Sequence, residues 1–163
     1  MQKITPFLWF DKQAEEAAQF YTSVFKNSKI GNVSHYTKDG FEVHGMPEGT
    51  AMVVEFELNG QQFQAINGGP HFKFTPAVSF MISCENQEEV DYYWDKLSEG
   101  GAPEAQQCGW LADKFGLSWQ VVPTAMGDLM SKGTSEQKGN VMVAMLKMKK
   151  INIAELEAAH NQQ

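Results

Sequence analysis

The sequence contains no arginine: all thirteen of its cations are lysines. Bidentate clamps on phosphate or carboxylate favour the guanidinium fork, so a heavily phosphorylated ligand is not expected. A net charge of -7 argues against nucleic acid and against anionic membrane surfaces as partners. No apolar run approaches the roughly 20 residues that a membrane span requires. Met1-Gln2-Lys3-Ile4 leads straight into a strand-like pattern without a signal-peptide core. Cysteine is scarce: Cys84 and Cys108 have no CxxC spacing and read as free thiols in a reducing cytoplasm. A P-loop, a zinc-ligand spacing and a Ser-His-Asp order are all missing.

Eleven Phe and four Trp are enough for a packed interior. Residues 4–10 are short, apolar and aromatic, which predicts a strand, and Asp11 is placed to cap the helix that follows. Ala14, Ala17, Ala18, Tyr21 and Phe25 recur at helical spacing, with Glu15 and Glu16 in the first turn, where the helix dipole favours acids. Residues 30–37 alternate as a half-buried strand does. A Gly- and Pro-bearing loop then runs to Thr50. Residues 51–58 and 61–67 flank Asn59-Gly60, a strong hairpin signal. The order then repeats: a strand over 77–83, a helix over 86–97, a short piece near 104–106, and strands over 107–112 and 117–122. From Thr124 the pattern is helical, with Val141, Met142, Met145 and Met148 as a packing stripe and Asn152 with Glu155 at capping-box spacing.

Glu15-Glu16-Ala17-Ala18-Gln19-Phe20-Tyr21 aligns with Glu88-Glu89-Val90-Asp91-Tyr92-Tyr93-Trp94, 73 positions on. Asn59-Gly60-Gln61-Gln62-Phe63-Gln64-Ala65-Ile66 aligns with Phe115-Gly116-Leu117-Ser118-Trp119-Gln120-Val121-Val122, 56 positions on. The chain therefore reads as a duplication, an α+β fold of two tandem βαβββ modules, residues 1–70 and 71–123, followed by a helical tail over 124–163. Side chains alternate along a strand. Gln64 and Gln120 are thus expected on one face with Gln62 and Ser118, and Phe63 and Trp119 on the other.

Phe7-Leu8-Trp9-Phe10, Asn67-Gly68-Gly69-Pro70, Pro76-Ala77-Val78-Ser79-Phe80 and the run from Cys108-Gly109-Trp110 through Phe115-Gly116-Leu117-Ser118-Trp119-Gln120 resemble the vicinal oxygen chelate superfamily. Within that superfamily of glyoxalase, bleomycin and fosfomycin resistance proteins, the chain looks most like the PhnB-like, "3-demethylubiquinone-9 3-methyltransferase-like" branch, over nearly its whole length and including the Met-rich tail. The resemblance implies curved sheets forming a cup, and a homodimer. It also implies four metal-ligand positions, one on the first and one on the last strand of each module. Carried over by spacing, these are Pro6, Gln64, Ser79 and Gln120. Proline has no side-chain donor, and hydroxyl and amide groups are weak ligands beside His and carboxylate, so no metal and no cofactor are expected. Methyl transfer from S-adenosylmethionine normally uses a doubly wound sheet with a Gly-rich first loop. Here Asp11-Lys12-Gln13-Ala14 follows the first strand.

The expected function is binding of an apolar or aromatic small molecule in an aromatic, amide-lined cup. Trp9, Phe63, Phe72, Trp110 and Trp119 are the candidate stacking residues, against the plainer role of core filling. Gln64, Asn67, Ser79 and Gln120 are the candidate polar groups, against the plainer role of sheet hydrogen bonding. The alternative is an enzyme, a lyase, isomerase or transferase. Its base would be Asp113, if burial raises the acid's pKa, or His71, histidine being the side chain most often used for proton transfer. A turn residue and an exposed loop histidine are the plainer readings of these two.

Overall fold

Strand β1 (Phe7–Phe10), helix α1 (Ala14–Val24), β2 (Lys29–His35), the single turn α2 (Phe41–His44), β3 (Ala51–Leu58) and β4 (Gln61–Asn67) build the first sheet in the order β1-β4-β3-β2. The computed structural model describes residues 1–162, and this sheet belongs to the first of two units, Met1–Lys73. β1 runs parallel to β4, while β2–β3 and β3–β4 are antiparallel. Asn59 and Gly60 close the β3–β4 hairpin with φ of 47° and 84°, as a two-residue type I′ turn demands. Leu8, Phe10, Val54, Phe56, Leu58, Phe63 and Ala65 are buried on one face, beneath Ala14, Ala17, Ala18, Tyr21 and Val24 of α1. Tyr21, Phe56 and Phe63 stack in series. Each large apolar side chain sealed this way contributes about 1.5–3 kcal/mol.

The second unit, Phe74–Gln163, contains β5 (Ser79–Cys84), α3 (Gln87–Ser98), β6 (Trp110–Ala112), β7 (Ser118–Pro123) and the tail helices α4 (Thr124–Ser131), α5 (Ser135–Leu146) and α6 (Ile153–His160). Its sheet order is β5-β7-β6, with β5 parallel and β6 antiparallel to β7. Val90, Trp94 and Leu97 of α3 are buried, as are Cys84, Leu111, Trp119 and Val121 on the sheet.

The second module departs from the expected βαβββ order. Residues 103–105 form a 3₁₀ turn rather than a strand. Pro103 opens that turn, where its missing N–H is harmless. Gln107 pairs only with Trp110, across a two-residue turn in which Cys108 and Gly109 take φ of 51° and 84°. The helix-start reading at Asp11 is also replaced. The N-cap of α1 is Gln13, without a side-chain cap. The Ala14 N–H is taken instead by Asn67 Oδ1, at 2.8 Å, from the end of β4. Among the described residues, Asp11 Oδ1 is buried with no hydrogen-bond partner.

In the tail, Val141, Met148, Ile151 and Leu156 form a separate apolar cluster with Met126, Leu129, Met130 and Met145 around it. Thr134 and Gln137 cap α5 reciprocally, a full capping box, and Asn152 caps α6. No helix among the described residues is long and apolar enough to cross a membrane.

Candidate functional site

Each sheet is sealed by a helix on one face only, and strand alternation decides which side chains reach the other. In the first unit, the register places Phe7 beside Gln64 and Trp9 beside Ile66, with Glu55 opposite Gln64 and Val53 opposite Ile66. All six belong to the helix-free face. Gln64, Trp9 and Ile66 are half-buried, and Phe7 is exposed. Trp9 is fixed at its edge: Nε1–H donates to the Gly69 carbonyl at 2.9 Å, and the Phe72 ring meets it edge-on at 4.9 Å between centroids. His71 stands 6.5 Å from the same indole and is exposed, as Phe72 is.

In the second unit, the helix-free face carries Ser79, Met81, Trp110, Ser118 and Gln120. Trp110 pairs directly with Gln120 across β6–β7, and Gln120 Nε2 donates to Ser79 Oγ at 2.9 Å. Trp110, Gln120 and Ser79 are half-buried and Met81 is exposed.

Three of the candidate ligand-binding residues lie elsewhere. Phe63 and Trp119 are buried on the helix-covered faces, so neither ring can stack a ligand that meets Gln64 or Gln120. Asn67 is buried too, and its groups are used internally. Besides receiving the Ala14 N–H, it donates from Nδ2 to the Ala51 carbonyl at 3.1 Å, and its carbonyl accepts from the Tyr36 hydroxyl at 2.7 Å. Asp113 is buried, and its carboxylate accepts from the backbone N–H of Phe115 and Leu117 and from Trp119 Nε1–H, at 2.8, 3.1 and 2.8 Å.

Against the strand register, the carry-over of first-strand positions by helix spacing falls one residue short in the first unit and two short in the second. Gln64 lies level with Phe7 and Gln120 with Met81, so the two first strands correspond at an offset of 74 (81 − 7), against 73 for the helices. The segment joining strand to helix is one residue shorter in the second unit. Phe7 and Met81 therefore occupy the places that Pro6 and Ser79 were expected to hold. Neither unit suits a transition-metal ion. One offers an amide beside a phenyl ring and a single carboxylate, Glu55, which already accepts from Asn32. The other offers an amide, a hydroxyl and a thioether. Among the described residues, no group of three or more His, Cys, Asp and Glu is placed to hold a metal. Such a donor set does not fit the metal ion whose ligand positions the resemblance implies.

Phe7, Glu55 and Met81 are the residues sequence reasoning missed. Counting equal steps back from the Asn59-Gly60 turn pairs Gln64 with Glu55, and Phe7 lies two residues before Trp9 on the same face. Both signals were present in the sequence.

Comparison with known proteins places these features in a lineage. Residues 2–122 match the family described as 3-demethylubiquinone-9 3-methyltransferase. A PhnB protein from Bacillus cereus, provisionally given that same methyltransferase name, is 42% identical, with 76% of this chain and 100% of that chain covered at a TM-score of 0.64. Protein PA1353 from Pseudomonas aeruginosa shares the fold at 17% identity, with 76% and 98% covered and a TM-score of 0.56. A glyoxylase/bleomycin resistance protein/dioxygenase domain from Frankia is 13% identical over 76% and 92%, with a TM-score of 0.47. No curated protein matches the chain. The match stops at residue 122, so the helical tail lies outside it, contrary to the expectation that the resemblance includes the tail. With residues 2–122 matched by the family and a 42% identical relative covered end to end, the chain belongs to the PhnB-like, 3-demethylubiquinone-9 3-methyltransferase family.

Proposed function

We propose that the chain is a cytoplasmic, metal-independent protein that binds an apolar or aromatic small molecule on the helix-free faces of its sheets. One observation carries the reading. On these faces Phe7, Trp9 and Ile66 in one unit, and Met81 and Trp110 in the other, keep apolar surface partly open to solvent, each set beside an amide, Gln64 or Gln120. Open aromatic area with a few oriented polar groups is what a small-ligand site needs. Trp9 is held by its Nε1–H bond to Gly69, so contact with a ligand carries no large entropy cost for this ring.

The family's name refers to methyl transfer. The sheets here are mixed rather than doubly wound, and Asp11-Lys12-Gln13 offers no Gly-rich nucleotide turn after β1. Catalysis through Asp113 or His71 draws less support than binding. Asp113 is committed to three N–H donors within its own hairpin, and His71 is an exposed loop residue.

Titration with 1-anilinonaphthalene-8-sulfonate and a panel of planar aromatics, followed by Trp fluorescence, tests the reading. Trp9→Ala with Trp110→Ala is expected to weaken binding about tenfold or more, from loss of the stacking rings. Unchanged affinity in that double variant would overturn it. Stoichiometric Zn, Ni, Mn or Fe in protein purified without chelators would overturn its metal-independent part.

A further inference from the structure

The helix-free face of the first unit carries a charge that the chain leaves unmatched. Glu55 and Glu57 both lie on this face, two residues apart on β3, an interior strand of the sheet. Glu57 faces Lys29 across β2–β3 and meets its ammonium at 3.7 Å, and it accepts from Gln62 Nε2 at 2.8 Å. Glu55 has no cation within ion-pair reach among the described residues. It is half-buried, and its Oε2 accepts from Asn32 Nδ2 at 3.2 Å, which steadies the carboxylate without neutralising it.

The same carboxylate stands in a row with a ring and an amide. Across β1, β4 and β3 the register sets Phe7, Gln64 and Glu55 in line, so Phe7 and Glu55 are two strand spacings, about 10 Å, apart. Phe7 is 53% exposed, and Trp9 follows it on the same face. This arrangement restricts the occupant. An apolar molecule lying over Phe7 and Gln64 takes water away from Glu55, and a charge stripped of water without a counter-charge is costly. A neutral hydrocarbon brings that cost with nothing to offset it, and an anion adds repulsion. A cation removes it, and the net charge of -7 favours its approach.

We propose that the ligand of the first unit is an amine, with an apolar or planar group against Phe7 and Trp9 and a protonated nitrogen received by Glu55. The inference rests on the binding reading above and names the chemical class that this face selects. Gln64 lies between the two ends of such a molecule, and its side-chain amide has no partner of its own among the described residues. A charge-assisted N–H···O bond to a carboxylate already steadied by Asn32 gives orientation as well as affinity. The helix-free face of the second unit, with Ser79, Met81, Trp110, Ser118 and Gln120, carries no acid at these positions. Selection for a cation is therefore a property of the first unit.

Amide NMR titration of the full chain tests this, because it reads the first unit's residues separately and verifies folding in each variant. The probes share one ring system and differ in charge: 1-naphthylmethylamine, 1-naphthalenemethanol and 1-naphthoate. Shifts at Phe7, Glu55 and Gln64 are expected to show the amine binding about tenfold more tightly than the alcohol, with the carboxylate weakest. Glu55→Gln should reduce the amine's advantage to about twofold or less. Glu57→Gln, which removes a charge that Lys29 already matches, should leave that advantage in place. Alcohol or carboxylate binding as tightly as the amine at these residues overturns the inference and leaves the binding reading standing. An amine preference that survives Glu55→Gln, or that falls equally in Glu57→Gln, would trace to net charge and also overturns it. No shift at these residues with any of the probes overturns the binding reading for this unit and the inference with it.

Discussion

Trp119 donates its indole N–H to Asp113 Oδ2 at 2.8 Å, and both residues are buried. The same carboxylate takes the N–H groups of Phe115 and Leu117 through Oδ1, so one acid ties the β6–β7 turn to the core side of β7. An acid flanked by aromatics at the end of a strand suggests a base in a pocket. Here its geometry is that of a bracket.

Removing that bracket takes the acceptor from three N–H donors, two of them buried. Hydrogen bonds to a charged acceptor are worth more than neutral ones, and orphaned partners add their desolvation cost. Asp113→Ala is expected to cost about 3–5 kcal/mol in urea unfolding. Trp119→Phe, which keeps most of the ring and loses one donor, should cost about 1–2 kcal/mol. In a double-mutant cycle the two should be coupled rather than additive. Independent effects would contradict the bracket.

Gly68 permits the placement of Trp9. A Cβ on Gly68 would fall on the Trp9 indole, far inside contact distance, so Gly68→Ala must push the indole or the β4–loop backbone aside. Overpacking of this kind costs about 1–3 kcal/mol. Adding Trp9→Ala removes the obstacle. The double variant should therefore lose less stability than the two single losses together, read from thermal or urea unfolding. The same shift of the indole should weaken ligand binding in Gly68→Ala if the proposed face is used.

Much of the architecture is legible in the sequence because local physics decides it. Asn59-Gly60 fixes a hairpin and its register, and from that register Gln64 and Gln120 fall on the faces opposite Phe63 and Trp119. The alanine-rich spacing of α1 specifies a helix able to lie flat on a sheet. What escapes the sequence is set at a distance or by a single residue of frame. Asn67 caps α1 from 53 positions away, which a search for a cap next to the helix start cannot find. The strand register sets Phe7, one residue beyond Pro6, and Met81, two residues beyond Ser79, level with the glutamines, and so flips Pro6 off their face. Asp113 reads as an acid in an aromatic setting, but its three donors are visible only when the turn is closed.

Burial pushes the Cys84 thiol up to about 11 from 9.0, with the charge of Glu89 adding to the shift. The thiolate is the reactive form, and at pH 8 such a thiol is ionised at about one part in a thousand. Native protein treated with iodoacetamide at pH 8 should thus be labelled at half-buried Cys108 well before Cys84, with Cys84 reacting only after denaturation. The sign of the pH dependence follows. Because the folded value lies above the unfolded one, this group's contribution to stability is complete below pH 9 and is lost as pH rises through about 11. Equal labelling of both thiols in the native state would show that β5 opens at Cys84.

Gln87 joins α3 to the tail. Its Nε2 donates to the Ile151 carbonyl at 3.0 Å and to Asp91 Oδ1 at 3.0 Å, and its Oε1 accepts from the Ile153 N–H at 2.8 Å. Lys150 reaches Asp91 at 3.0 Å from the same tail segment. The Gln87 bond, then that of Lys150, holds the Asp91 carboxyl below its ordinary value. Asp91 and Lys150 are substantially exposed, and such pairs contribute little; the amide, which satisfies backbone groups at the start of α6, matters more. Gln87→Ala is expected to cost about 1–2 kcal/mol and to speed hydrogen exchange across residues 150–160 while leaving β3 and β4 protected. Lys150→Ala should change exchange there far less. Since Asp91 is held low in the folded state, its part of the docking is present above its unfolded value and fades as pH falls through the folded one. Exchange in α6 should therefore rise in acid relative to the intrinsic rate, and less so in Asp91→Asn. Uniform exchange changes over the whole chain in Gln87→Ala would contradict a local clamp.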